Sequence, residues 1–377
     1  MLKKAVYEDN DIVVQAEVER IDILLKSEEH ILNFPRIVQL EGKKLVLAYG
    51  SGRHGSNEGR PAAFSDDFGK TWVPAPPGSP WMDNVQCSGI LGYMKDGRIA
   101  YIDVTAVEAT AKKWRREDGP WHLVHRVEDP TFRLRYFSKT GELLEESTFK
   151  IRGLPVKKAS YEFYGTLLEL DDGSLLTGFH YITSIPDEAG RYNGGIAFCR
   201  SDDGGRNFDF LSYVDDYYVN GKPVSDICFS GSDMEILANG DIIAITRDGD
   251  MMTYCLKSRD NGKTWSDPVP TGWPGVEPKI QLLSNGVLVC TTGRGVYGHP
   301  QITHAMFSLD GTGEKWEYPF AFHTGPGCSY TDLFERDGKL YVVYSHSDFT
   351  KPMGSNDLLY QSIKWAVIDV KKEEMKK

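Results

Sequence analysis

No stretch of this 377-residue chain approaches the roughly 18 consecutive apolar residues a membrane-spanning helix needs. Basic residues are in the minority, 43 against 54 acidic ones, and the net charge of −11 argues against nucleic acid or an anionic membrane as the main partner. An anionic ligand therefore has to be held by a local arginine cluster against the overall field. The cysteines, Cys87, Cys199, Cys228, Cys255, Cys290 and Cys328, include no CxxC pair, and their apolar neighbours mark them as buried free thiols rather than a disulfide framework. No His, Cys or carboxylate cluster has ligand spacing, so neither metal nor cofactor is expected. The opening MLKKAVYEDNDIVV lacks the apolar core of a secretion signal, which sets the expectation of a cytoplasmic protein. Helical periodicity is hard to find anywhere.

Repetition takes its place. SDDFGKTW at 65–72, SDDGGRNF at 201–208 and SRDNGKTW at 258–265 are near copies, with a distorted one, SLDGTGEKW, at 308–316 and a remnant, FSKTGE, at 137–142. Their physics is local. The Asp accepts hydrogen bonds from turn amides, Gly supplies an unusual backbone angle, and Trp packs down between sheets. Asp67, Asp203 and Asp260 are thus turn-makers rather than catalysts. Between the copies run hairpins, each an apolar stretch, a turn ending in Gly and a second apolar stretch, with turn glycines Gly42, Gly97, Gly173, Gly240, Gly286 and Gly338. This spacing fits blades of about four strands. The expected fold is all-β: one domain over residues 1–377, a six-bladed β-propeller of four-stranded antiparallel blades. The second blade carries a long insertion around 105–135. Aromatic residues make up 12% of the chain, which suits both strands and sugar-facing surfaces.

The octapeptide Ser-x-Asp-x-Gly-x-Thr-Trp is the Asp-box, and with six blades the chain resembles the sialidase (neuraminidase) superfamily along nearly its whole length. The resemblance implies hydrolysis of a terminal acidic sugar. Its anomeric carbon bears a carboxylate that would repel a carboxylate nucleophile, so a Tyr attacks instead. Three arginines hold the carboxylate, an acidic partner activates the Tyr, and a separate acid protonates the leaving group. Carried onto this chain, the arginines are Arg36 in NFPRIVQL, Arg247 in DIIAITRDGD and Arg294 in LVCTTGRGVYG. The nucleophile is Tyr330 in PGCSYTDLF, and its partner is Glu277 in GVEPKIQLLSNG, with Asp233 in reserve. The general acid belongs in the loop GSGRHGSNEGRPAAF, where the family has an Asp and this chain has none. Glu58 or His54 then serves, while Arg53 and Arg60 can bind anions.

A further cluster, YEFYG and GFHYITS, places Glu162, Tyr164, His180 and Tyr181 at matching positions along one hairpin, as cross-strand packing or as a pocket wall. Three other readings stay open at this level. One is an exo-arabinanase-like glycosidase using two carboxylates such as Glu162 and Glu277. Another is a uronate lyase with His180 or Tyr330 as base. The third is a sugar-binding propeller without catalysis.

Overall fold

The computed structural model describes residues 3–27, 32–51, 61–82, 89–104, 112–114, 122–124, 127–128, 131–154, 158–162, 165–183, 194–215, 230–248, 252–293, 302–324, 329–348 and 359–375. Every regular element among them is a β-strand. The first unit is a four-stranded antiparallel sheet of Leu32–Gln39, Leu45–Ser51, Ala62–Ser65 and Val73–Pro74. The fourth unit (Ser230–Ile236, Ile242–Arg247, Met252–Ser258, Val269–Pro274) and the fifth (Val276–Leu282, Leu288–Gly293, Ile302–Ser308, Phe320–Thr324) repeat that order.

Two sheets depart from the expected uniform pattern. The second and third units, which begin with Ile90–Tyr93 and Gly165–Glu169, are fused into one sheet because those strands pair in parallel through Gly165↔Ile90 and Thr166↔Leu91. Glycine is what allows the approach. A Cβ at Gly92 would stand 2.5 Å from the carbonyl oxygen of Leu167, and on the third unit's other side one at Gly165 would stand 2.9 Å from that of Ser232 in the fourth unit. The last unit has five strands: Ser329–Arg336, Lys339–Asp348 and Leu359–Glu374, completed by Ile12–Ser27 and Lys4–Asp9 from the other end of the chain. Residues 112–114 and 122–124, inside the expected insertion, pair with each other as a separate two-stranded sheet.

Period-two alternation in these strands gives each sheet two apolar faces, and one cluster fills each gap between neighbouring units. Phe132, Tyr136, Phe179 and Phe208 pack between the second and third units. Ile37, Leu45 and Leu47 of the first unit pack on Phe334, Tyr341 and Trp365 of the last. Each fully buried side chain of this size contributes about 1.5–3 kcal/mol. Cys199, Cys255 and Cys290 are free and buried in strands; Cys87, Cys228 and Cys328 lie outside the described residues.

The octapeptide turns share one geometry. The Ser hydroxyl oxygen accepts the Gly amide four residues on, at 2.8 Å in each case (Ser65 from Gly69, Ser201 from Gly205, Ser258 from Gly262). The Asp carboxylate then accepts the amide of Thr71, Asn207 or Thr264 at 2.8–2.9 Å and that residue's side chain at 2.6–2.7 Å. These bonds hold Asp67 well below the usual carboxylate range, at about 2. At 308–316 the Ser308 oxygen reaches Gly313, one residue further along, which accounts for the distorted spelling. All these turns join third to fourth strands and lie at the same end of the sheets as the hairpin glycines.

Candidate functional site

The opposite end is where first strands begin and second strands finish, and it carries most of the residues expected to act. Four first strands start with a β-bulge, the register slipping between Asn33 and Arg36, Ser230 and Ser232, Val276 and Lys279, and Ser329 and Thr331. In three of them the extra residue is non-glycine at positive φ: Phe34 at 46°, Glu277 at 46° and Tyr330 at 56°. Such a conformation costs on the order of 1–3 kcal/mol per residue and collects at functional positions. Glu277 and Tyr330 are therefore structural equivalents, each opening the first strand of consecutive units. Both are buried, and Tyr330 leans on Phe34 with ring centroids 4.1 Å apart.

Two residues past each bulge stands a buried charge: Arg36, Asp233, Lys279 and Asp332. These charges pair across unit boundaries in two matching sets. Asp332 Oδ2 accepts the Ile37 amide at 2.8 Å while Oδ1 lies 3.5 Å from the Arg36 guanidinium. Asp233 Oδ2 accepts the Ile280 amide at 3.0 Å while Oδ1 lies 3.6 Å from Lys279 Nζ. The Thr166 hydroxyl from the third unit donates to Asp233 Oδ1 at 2.6 Å. Arg36 reaches further, donating to the carbonyl oxygen of Gly89 at 2.9 Å and to that of Gly165. Burial and the Arg36 charge push Lys279 down to about 8, against the pull of Asp233, Asp332 and Glu277.

Several expected roles change in this setting. Asp233 is 3% exposed and both its oxygens are engaged, so it is a bracing group and not a free base. The Arg36 guanidinium is buried and bound to Asp332 and to carbonyls of two other units. Tyr181 belongs to the apolar cluster between the second and third units and is core, not pocket wall. His180 is buried on the opposite face of the same strand, with Glu162 directly across the ladder. Arg247 closes its second strand opposite Ser230, half-buried, and donates to the Asp248 carbonyl at 3.2 Å. Arg53, His54, Glu58, Arg60, Tyr164 and Arg294 lie outside the described residues.

Sequence reading passed over Lys279, Asp332 and the Phe34 platform. One signal for them existed: a charge six or seven positions before a turn glycine, in strands otherwise apolar (Arg36 before Gly42, Asp233 before Gly240, Lys279 before Gly286, Asp332 before Gly338). Histidines were missed too. Burial holds His304 at about 4, and burial together with His346 and Lys364 holds His323 at about 4.

No protein-family profile and no curated protein matches this sequence. Solved structures do match in shape. A protein of unknown function from Dyadobacter fermentans superposes with a TM-score of 0.65 at 16% identity, over 94% of this chain and 99% of its own. The intramolecular trans-sialidase from Ruminococcus gnavus, in complex with oseltamivir carboxylate, gives 0.59 at 14% identity, over 91% and 95%. Trypanosoma rangeli sialidase, in complex with the inhibitor DANA, gives 0.59 at 14%, over 89% of this chain but 55% of its own. The chain has a sialidase-like fold. At such identities the likeness concerns the fold alone.

Proposed function

We propose that the units close into a single six-bladed propeller and that the chain is a sialidase-like exo-glycosidase acting on a terminal acidic sugar. The observation that carries this reading is the equivalence of Glu277 and Tyr330, both buried and both held at left-handed bulges at one end of consecutive first strands. Tyr330 Oη attacks the anomeric carbon and Glu277 takes its proton. The leaving oxygen receives a proton from Glu58 or His54, and water then releases the sugar. Arg247 and Arg294 hold the substrate carboxylate, while Arg36, tied to Asp332, supplies positive potential from below. The likeness in fold to a sialidase in complex with the inhibitor DANA and to an intramolecular trans-sialidase supports this substrate class.

The deciding experiment is release of umbelliferone from an α-linked sialic acid umbelliferyl glycoside by the purified protein. Turnover that disappears in Tyr330→Phe supports the reading. A folded but inactive wild type overturns it. The register pair Glu162↔His180 favours a second reading, a propeller glycosidase or uronate lyase with its acid or base in the third blade. That reading predicts turnover of arabinan or uronate substrates, which would survive Tyr330→Phe in the two-carboxylate case.

A further inference from the structure

Two carboxylates in this protein do the same job at two distant seams. Asp233, in the fourth unit, grips the fifth; Asp332, in the last, grips the first. Each accepts the amide of the residue three past a bulge and faces the cation two past it. The fifth unit's bulge residue is Glu277 and the first unit's is Phe34, on which Tyr330 rests.

Resting on the sialidase-like chemistry proposed above, we infer that Asp233 and Asp332 are positioning residues. From the neighbouring unit, Asp233 fixes the strained bulge that presents Glu277, and Asp332 fixes the strained bulge whose Phe34 supports the Tyr330 ring. The bulges need such support. A left-handed Glu or Phe relaxes readily to an ordinary β conformation unless its surroundings over-determine it. An amide gripped by a carboxylate three residues downstream removes that option, because relaxation would drag the Ile280 or Ile37 N–H off its acceptor. At both seams the hydrogen bond is charge-assisted, and such bonds are about twice as strong as neutral ones. Their low accessibility, 3% for Asp233 and 5% for Asp332, keeps water from competing. Lys279 and Arg36 balance the two carboxylates, so the layer under the site holds two opposite pairs. The charge of Glu277 is felt at Lys279, which couples the brace electrostatically to the base.

The test compares full-length wild type with Asp233→Asn and Asp332→Asn, since Asn keeps an acceptor oxygen for the amide and loses the charge. Hydrogen–deuterium exchange reads the brace independently of activity. Kinetics on the umbelliferyl glycoside read its effect on chemistry. In Asp233→Asn the amides of 276–282 should exchange about tenfold faster while those of 32–39 stay unchanged; Asp332→Asn should show the reverse. In both, kcat should fall about 10–100-fold with KM nearly constant, and in Asp233→Asn the acid limb of the pH–rate profile should move. Exchange that is unchanged, or that rises equally in both segments, overturns the brace whatever the activity. Local exchange with kcat unmoved overturns the positioning role and leaves the pair purely structural. A wild type inactive on this substrate overturns the chemical half together with the sialidase-like reading, and the exchange result still decides the brace.

Discussion

Asp332 accepts the main-chain N–H of Ile37 at 2.8 Å across 295 positions of sequence, and Arg36 beside that amide supplies the countercharge 3.5 Å away. Deleting one member of so buried a pair leaves the other uncompensated. Arg36→Ala should therefore destabilise the protein by about 3–5 kcal/mol. Equilibrium denaturation in urea measures it. A loss under about 1 kcal/mol, the range of exposed pairs, would show that the guanidinium is not a structural hub.

Tyr330→Phe keeps the ring that packs on Phe34 and removes only the hydroxyl. Turnover of the sialic acid glycoside should drop by at least about 10²-fold. The melting transition should stay close to wild type. Retained activity would remove Tyr330 from the role of nucleophile.

His304 is buried and held neutral, with its pKa pushed from 6.5 down to about 4. The unfolded chain takes up the proton at the higher value, so the native state is fully favoured above pH 6.5 and loses ground as pH falls toward 4. At about 1.4 kcal/mol per unit, the loss is on the order of 3 kcal/mol. His304→Leu should flatten the stability curve across that window. Denaturation midpoints at pH 7.5 and pH 5 decide it; an equal drop in both proteins would contradict the assignment.

Gly204 and Gly205 both adopt left-handed backbone, at φ 71° and 85°, but differ in what surrounds them. A Cβ on Gly204 meets open space, whereas one on Gly205 lands 2.2 Å from Leu134 Cδ2. Gly204→Ala should lose about 1–2 kcal/mol from backbone strain alone. Gly205→Ala should lose about 1–3 kcal/mol beyond that from overpacking. Equal losses from the two would mean that the turn shifts freely.

The units were legible in sequence because their signals are local. Gly42, Gly97, Gly173, Gly240, Gly286 and Gly338 all have positive φ at the turns where Asn-Gly, Asp-Gly and similar pairs stood. The octapeptides encode their own hydrogen bonds within five residues. The site was less legible, for the opposite reason. Nothing local marks Glu277 or Tyr330 as left-handed, since each bulge is a slip in the pairing of a first strand with its second and shows only once the register is known. Asp233 looked like a spare base because its partners, Thr166 and Ile280, are 67 and 47 positions away. Tyr181 looked like a pocket wall because strand parity fixes which of two adjacent aromatics faces inward only once the sheet is placed. The fusion of the second and third units depended on Gly92, and the approach of the third unit to the fourth on Gly165, whose meaning appears only when two backbones touch.

The last sheet is finished by a strand from the far end of the chain, Ile12–Ser27 running antiparallel beside Leu359–Glu374. Ile12 faces Glu374 and Ser27 faces Gln361, and the chain ahead of Ile12 doubles back along the same strand as Lys4–Asp9, with Lys4 facing Glu17. Tension applied between the termini would then not shear the pair as a whole. It would first strip Lys4–Asp9 from Ile12–Ser27 and then open the longer ladder like a zipper, one rung at a time from Ile12 inward. Such a ladder peels more easily than it shears, and a machine that unfolds proteins by pulling on this strand would meet Lys4–Asp9 first.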